Sequence, residues 1–318
     1  MEPEGSPSSA SPHRVRRAWE DAYIWNVFQY YSRTYSFAAK LLPGSKRMPV
    51  ATLYFYCRTI DNIADTASNG QARDAALREL ATARRALDDT LAGRPPAAGL
   101  IWRRLAELHE RYTLHTPPLY ELIDGAEWDL RGIHIETEDD LIRYANLVAG
   151  SIGSMMLPFL IDERDDLPRL EAPARDLGIA MQITNILRDV GEDARALGRV
   201  YIPSATLARF GCRGADLAST TLPEGYPELI EYVMEMAEEY FVSGRSGIAA
   251  LNRSVRPGIE AAARIYREIL NEIRRRDYDN LNERAYTSRA KKVQLLLFDT
   301  YERRKRRLQG RSPARLTA

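Results

Sequence analysis

Two stretches of this chain carry the same acidic pattern on otherwise apolar helices, and that pattern limits the folds open to it. In YFYCRTIDNIAD, residues 54–65, Tyr54, Arg58, Asp61 and Asp65 stand at offsets of 0, 4, 7 and 11. At about 100° per residue they fall within about 40° of the Tyr54 direction on a helix. In QITNILRDVGED, residues 182–193, Gln182, Asp189 and Asp193 repeat the offsets 0, 7 and 11. Asn185 lies about 60° aside, on the same broad face. The flanks are apolar: Leu53, Phe55, Ile60 and Ile63 in one, Ile179, Ile183, Ile186 and Leu187 in the other. An uncompensated buried carboxylate costs several kcal/mol, so four on two core-type helices call for a strongly positive partner. The two pairs are 128 positions apart (61 to 189) and are expected to converge on one cavity.

A divalent cation is the economical partner. Carboxylate, amide and water oxygens suit Mg²⁺, with Mn²⁺ as the alternative, and Mg²⁺ commonly bridges protein carboxylates to phosphates. Neither motif has His or Cys ligands in a zinc pattern. The neighbouring arginines then have phosphate oxygens to bind. The competing expectation is an internal ion-pair network in which these aspartates pair with Arg58, Arg188 and Arg195.

The rest of the chain reads as helix. Segments between prolines carry helical periodicity over about 16–40, 48–67, 72–92, 97–113, 117–132, 138–160, 172–194, 225–252, 256–276 and 288–309. Strand-like runs bounded by turn dipeptides do not occur, so the expected architecture is all-α in a single domain over residues 16–302. A Ser/Pro-rich tail (1–15) precedes it and reads as disordered. A basic tail (303–318) follows, with Arg303, Arg304, Lys305, Arg306, Arg307, Arg311 and Arg315 against a flank holding only Glu302. The opening residues lack the apolar stretch of a secretory signal. With 45 Lys+Arg against 44 Asp+Glu, the balance argues against a nucleic-acid partner. Two cysteines make no disulfide framework, so the expected location is cytoplasmic, with peripheral contact at the inner face of the membrane through the basic tail.

Four ordered blocks carry a family resemblance: SRTYSFAAKLLP (32–43), YFYCRTIDNIAD, YANLVAGSIG (144–153) and QITNILRDVGEDARALGRVYIP (182–203). ARIYREILNEI and Arg284 follow further on. Together they resemble the squalene/phytoene synthase family over about residues 20–300, and within it the phytoene synthases. The resemblance implies a class I isoprenoid (terpenoid) synthase helical bundle with a central cavity. It also implies a prenyltransferase that joins two prenyl diphosphates head to head. Carried over by position, Asp61, Asp65, Asn185, Asp189 and Asp193 would hold Mg²⁺. Ser32, Tyr54, Arg58, Gln182, Arg188, Tyr266 and Arg284 would contact diphosphate or line the site. Tyr144 would face the reacting carbons, and Arg199 and Tyr201 would form a flap over the second motif. Two positions depart from the pattern: Asn62 stands where many relatives have a second acid, and Tyr31 where some carry histidine before the Ser32 block.

The expected reaction joins two geranylgeranyl diphosphates through a cyclopropyl (prephytoene) diphosphate to phytoene, in carotenoid biosynthesis, without NADPH and upstream of a desaturase. The alternative is a squalene or dehydrosqualene synthase acting on farnesyl diphosphate. A non-catalytic assembly factor is the alternative of another class. The helix with Tyr144, Val148, Ser151 and Met155 would form one wall, with Gly150 and Gly153 permitting close approach. Small residues Ala38, Ala39 and Ala51 would leave depth for C20 chains.

Overall fold

The computed structural model describes residues 11–65, 70–94, 98–163, 166–288 and 290–295. The basic tail 303–318 and residues 1–10 lie outside the described residues, as does most of the last expected helix, of which 290–295 are helical. Among the described residues there is no strand, as the periodicity implies.

The chain divides into two compact units, Met1–Leu114 and His115–Ala318. The first holds α1 (Pro12–Tyr31), α2 (Arg33–Ala39), α3 (Gly44–Asp65), α4 (Gly70–Leu91) and α5 (Leu100–Tyr112). Helix α1 begins at Pro12, inside the stretch expected as a tail, because proline in the first turn presets a helical φ and gives up no needed donor. The expected helix 16–40 is broken at Ser32. That residue is extended (φ −136°, ψ 92°), and its hydroxyl caps α2 by accepting from Tyr35 N at 3.2 Å. The inner faces of α1, α3 and α5 form the core here, with Ile24, Phe28, Leu53, Tyr56, Ile60 and Leu105 fully buried.

The second unit holds α6 (Pro117–Arg131), α7 (Glu138–Ala145), α8 (Ser151–Leu160), α9 (Leu167–Glu192), α10 (Ser204–Arg209), α11 (Tyr226–Ser246) and α12 (Arg256–Arg275). Helix α10 lies in a stretch where the periodicity predicts no helix, since six residues are too few to show a repeat. Helix α9 is central and packs on α8, α11 and α12. Its buried face includes Ile179, Ile183, Ile186 and Leu187, the residues expected to be inside. The expected helix 138–160 is one rod with a defect. A single wide turn, Asn146–Gly150, joins α7 to α8, and a second, Asp193–Leu197, continues α9. The first lies against α9 because Gly178 has no side chain, where a Cβ would overlap Ala149 O, and α8 follows because a Cβ on Gly153 would overlap Ala174 O.

Candidate active site

In the first unit the acidic stripe of α3 is where the offsets place it. Tyr54, Arg58 and Asp61 are half-buried and Asp65 is exposed, while Leu53, Tyr56, Ile60 and Ile63 face inward. Asn62 is exposed beside the stripe, so the departure from the family pattern falls outside it. Arg58 Nη2 donates to Asp65 Oδ2 at 2.8 Å. Its guanidinium carbon lies 4.4 Å from the Tyr31 ring centre. Asp61 lies close enough to Cys57 that burial and this neighbouring charge together push the thiol well up. Tyr54 packs on Phe28 at 4.6 Å between ring centres. Ala38, Ala39 and Ala51 are all buried.

In the second unit, Gln182, Asn185, Arg188 and Asp189 are the half-buried residues in the last turns of α9, and Asp193 continues them. Gln182 Oε1 accepts from Asn185 Nδ2 at 3.4 Å. Among the described residues Asn185 Oδ1 is buried with no hydrogen-bond partner. Asp189 receives two guanidinium forks. Arg188 donates from Nε to Oδ1 at 2.8 Å and from Nη2 to Oδ2 at 2.5 Å. Arg284 sets Nε 2.7 Å from Oδ1 and Nη2 3.0 Å from Oδ2.

The local sequence explains how Arg284 arrives there. Asp277 and Tyr278 both take positive φ (50° and 64°) and turn the chain back after α12. Asn280 Nδ2 then donates to Leu187 O at 2.6 Å and its Oδ1 accepts from Tyr226 Oη at 2.6 Å. Arg195 Nη2 donates to Leu281 O at 2.6 Å, and Gly191 lets that backbone touch α9. Among the described residues Arg195 therefore serves the backbone rather than a carboxylate. The ion-pair expectation is met in part, by Arg58 with Asp65 and Arg188 with Asp189.

A third cluster joins residues the sequence singled out with one it did not. Asp129 on α6 accepts from Tyr144 Oη at Oδ2 and from Tyr201 Oη at Oδ1, both at 3.0 Å. The two tyrosine rings stack at 5.0 Å and 21°. Arg199 Nη1 lies 3.4 Å from Tyr201 Oη and 3.9 Å from Asp129 Oδ2. Burial and the Asp129 charge push both phenols well above their ordinary pKa, so each stays a protonated donor. Tyr266 is buried on α12.

The squalene/phytoene synthase family model matches residues 28–291. The chain belongs to the squalene/phytoene synthase family. It is 34% identical to a phytoene synthase of Arthrospira platensis over 278 residues, 84% of this chain and 87% of the relative. With a 15-cis-phytoene synthase of Synechococcus elongatus it shares 32% over 297 residues, 89% and 94% of the two chains. It spans 64% of the length of a chloroplastic phytoene synthase from an Oncidium hybrid cultivar, at 33% identity over 84% of this chain. A crystal structure of a dehydrosqualene synthase in complex with ligand superposes with a TM-score of 0.79 at 30% identity, covering 91% of this chain and 98% of that one. Squalene/phytoene synthases share an isoprenoid-synthase helical fold, act on prenyl diphosphates and generally depend on a divalent metal.

The donors on α9 suit such a metal. An unpartnered buried amide oxygen and two carboxylates are hard ligands. Burial, then the Asp189 and Glu192 charges, raise Asp193 to about 7 against the pull of Arg199 and Arg188. A site that penalises its own negative charge in this way favours a cation. Among the described residues no group of three or more His, Cys, Asp or Glu is close enough to hold a metal by itself. A cation here would thus need oxygens from outside that set, from the amide, water or diphosphate. Asp129 is the functional candidate that sequence reasoning missed. Its partners are 15 and 72 positions away, so no local spacing announces it.

Proposed function

We propose that the protein is a Mg²⁺-dependent phytoene synthase, a prenyltransferase of carotenoid biosynthesis that joins two geranylgeranyl diphosphates head to head. The observation that carries this reading is the half-buried face of α9, where carboxylates, an open amide oxygen and two guanidinium forks alternate. That pattern fits a ligand that is itself metal cations bound to phosphate. Asp61, Asp65, Asn185, Asp189 and Asp193 would hold the metal, which when bound neutralises charge on the departing diphosphate. Arg58, Arg188 and Arg284 bind phosphate oxygens, and Ser32 and Gln182 add hydrogen bonds. Tyr54, Tyr266 and the Arg199–Tyr201 flap line the site. The stacked rings of Tyr144 and Tyr201 give an electron-rich surface for an allylic cation, each worth about 0.5–2 kcal/mol. Their hydroxyls are tied to Asp129, so those protons are held away from the reacting carbons.

The reaction forms a cyclopropylcarbinyl diphosphate and rearranges it, ending in proton loss rather than hydride delivery, so NADPH is not required. Purified protein with Mg²⁺ and geranylgeranyl diphosphate should give phytoene at the same rate with and without NADPH. Hydrocarbon products are identified by mass. Product from farnesyl diphosphate alone would favour the dehydrosqualene or squalene reading, which the 30% identity to a dehydrosqualene synthase supports. No product from either would leave a non-catalytic assembly role. Asp61→Ala and Asp189→Ala should each abolish turnover while far-ultraviolet circular dichroism stays unchanged; retained turnover would remove the metal assignment.

A C40 hydrocarbon must leave for a lipid phase, where a desaturase would take it up. No helix among the described residues is long and apolar enough to cross a membrane. Contact would be peripheral, from a cytoplasmic location at the inner face, and the exposed stripe Val15, Trp19, Tyr23 and Tyr30 on α1 supports it. Flotation with anionic vesicles, with and without residues 303–318, tests whether the basic tail contributes.

A further inference from the structure

Tyr31 is the last residue of α1, and its ring is engaged with the Arg58 side of α3. The Arg58 guanidinium carbon lies 4.4 Å from the Tyr31 ring centre. On its other side Arg58 Nη2 donates to Asp65 Oδ2 at 2.8 Å. Tyr30 braces the ring edge-on, at 4.9 Å between ring centres and 82°. Among the described residues Arg58 Nε is buried with no hydrogen-bond partner, so one N–H of the guanidinium is kept for something else. An arginine on a flexible four-bond stem meets a phosphate weakly unless its plane is fixed beforehand. A ring face below and a carboxylate at the tip fix that plane.

We propose that Tyr31 is a positioning residue that aims Arg58 at the substrate diphosphate, through its ring face rather than its hydroxyl. The inference rests on the reading of Arg58 as a diphosphate ligand. Tyr31 is half exposed, 49% accessible, so its replacement leaves the core of the first unit intact. The ring requirement predicts an ordering of variants. Tyr31→Phe keeps the face and should stay within about twofold of the parent, whereas Tyr31→Leu should lose roughly 3- to 10-fold in diphosphate affinity. In an Arg58→Lys background the same Leu change should have little further effect, because a compact ammonium needs no plane set for it.

The experiment is calorimetric binding of inorganic pyrophosphate in the presence of Mg²⁺, for the full chain and the Phe, Leu, Lys and double variants, alongside KM and kcat with geranylgeranyl diphosphate. The expected result is weaker pyrophosphate binding and a higher KM at nearly constant kcat for Tyr31→Leu alone. Equal behaviour of the Phe and Leu variants, or additive losses in the double variant, overturns the proposal. If no hydrocarbon forms from any prenyl diphosphate, the functional reading falls while pyrophosphate binding still decides the role of Tyr31. If pyrophosphate does not bind the parent chain, both fall together.

Discussion

Arg284 grips Asp189 by both carboxylate oxygens across 95 positions of chain, at 2.7 and 3.0 Å, on a carboxylate that Arg188 already holds from the adjacent position. Asp189 is thereby neutralised before any ligand arrives. A metal bound here would compete with the arginines, and a diphosphate arriving with the metal would give those arginines new oxygens to bind. Arg284→Gln should raise KM for prenyl diphosphate by about tenfold or more, the loss of one charge-assisted contact. It should also tighten Mg²⁺ or Mn²⁺ binding measured by calorimetry without diphosphate. Weaker metal binding in the variant would show that Arg284 does not compete for Asp189. Arg284 is half exposed, so its contribution to stability should stay below about 1 kcal/mol.

Asp129→Asn removes the anion between Tyr144 and Tyr201 and places an NH₂ donor against one of two phenolic donors. One hydroxyl is left unsatisfied in a buried place, at a cost of about 1–3 kcal/mol. The expected phenotype is a lower denaturation midpoint and a kcat reduced by about 10- to 100-fold, since the stacked pair loses its fixed orientation. Unchanged kcat would confine Asp129 to a role in folding.

The acid limit of stability should depend on Glu171. Burial alone would raise its pKa, but hydrogen bonds from His115, Arg175 and Ser154 prevail and hold it below the ordinary 4.5. Arg175 also binds Glu121 through two contacts, at 2.6 and 3.0 Å. A depressed carboxylate pKa contributes stability above the unfolded value, and that contribution disappears as pH falls through the folded value. Glu171→Gln should therefore lower the melting temperature at pH 7 and have progressively less effect below about pH 4.5. Thermal melts of both proteins from pH 7 to 3 check this. A constant difference across that range would count against the network.

Gly191→Ala should destabilise the second unit. Its Cβ would overlap the Leu281 carbonyl, which is backbone and cannot swing away. Overpacking of this kind costs about 1–3 kcal/mol, and the displaced segment carries Arg284. Chemical denaturation and the KM for prenyl diphosphate should change together. A stability loss with unaltered KM would show that the segment finds its place by other contacts.

How much of this was legible in the sequence depended on distance along the chain. The stripes of α3 and α9 follow from offsets of four and seven within one helix; burial follows them for Leu53, Ile60 and Ile63 and for the inner face of α9, whereas Phe55 is only half-buried and Asp65 is exposed. The close approach at Gly153 was equally readable, because a glycine in an apolar helix signals a neighbour. The break at Ser32 was missed since the apolar repeat runs on through it, and only the extended backbone and the Tyr35 contact reveal the cap. Asp129 could not be read at all: EWDLRG is an ordinary helix end. What distinguishes that carboxylate is the pair of tyrosines that reach it from elsewhere.

The wide turn Asn146–Gly150 begins two residues after Tyr144, and Asp193–Leu197 begins on Asp193. Each amounts to one surplus residue in an otherwise regular helix. Deleting one residue within 146–150 would turn that stretch into regular α-helix with the flanking faces still in register, because five residues of wide turn and four of α-helix sweep nearly the same angle. Such a deletion removes the local widening beside Tyr144 and leaves the direction in which Tyr144 faces. These two places are thus where the helices can change length by one residue without turning the side chains on either side.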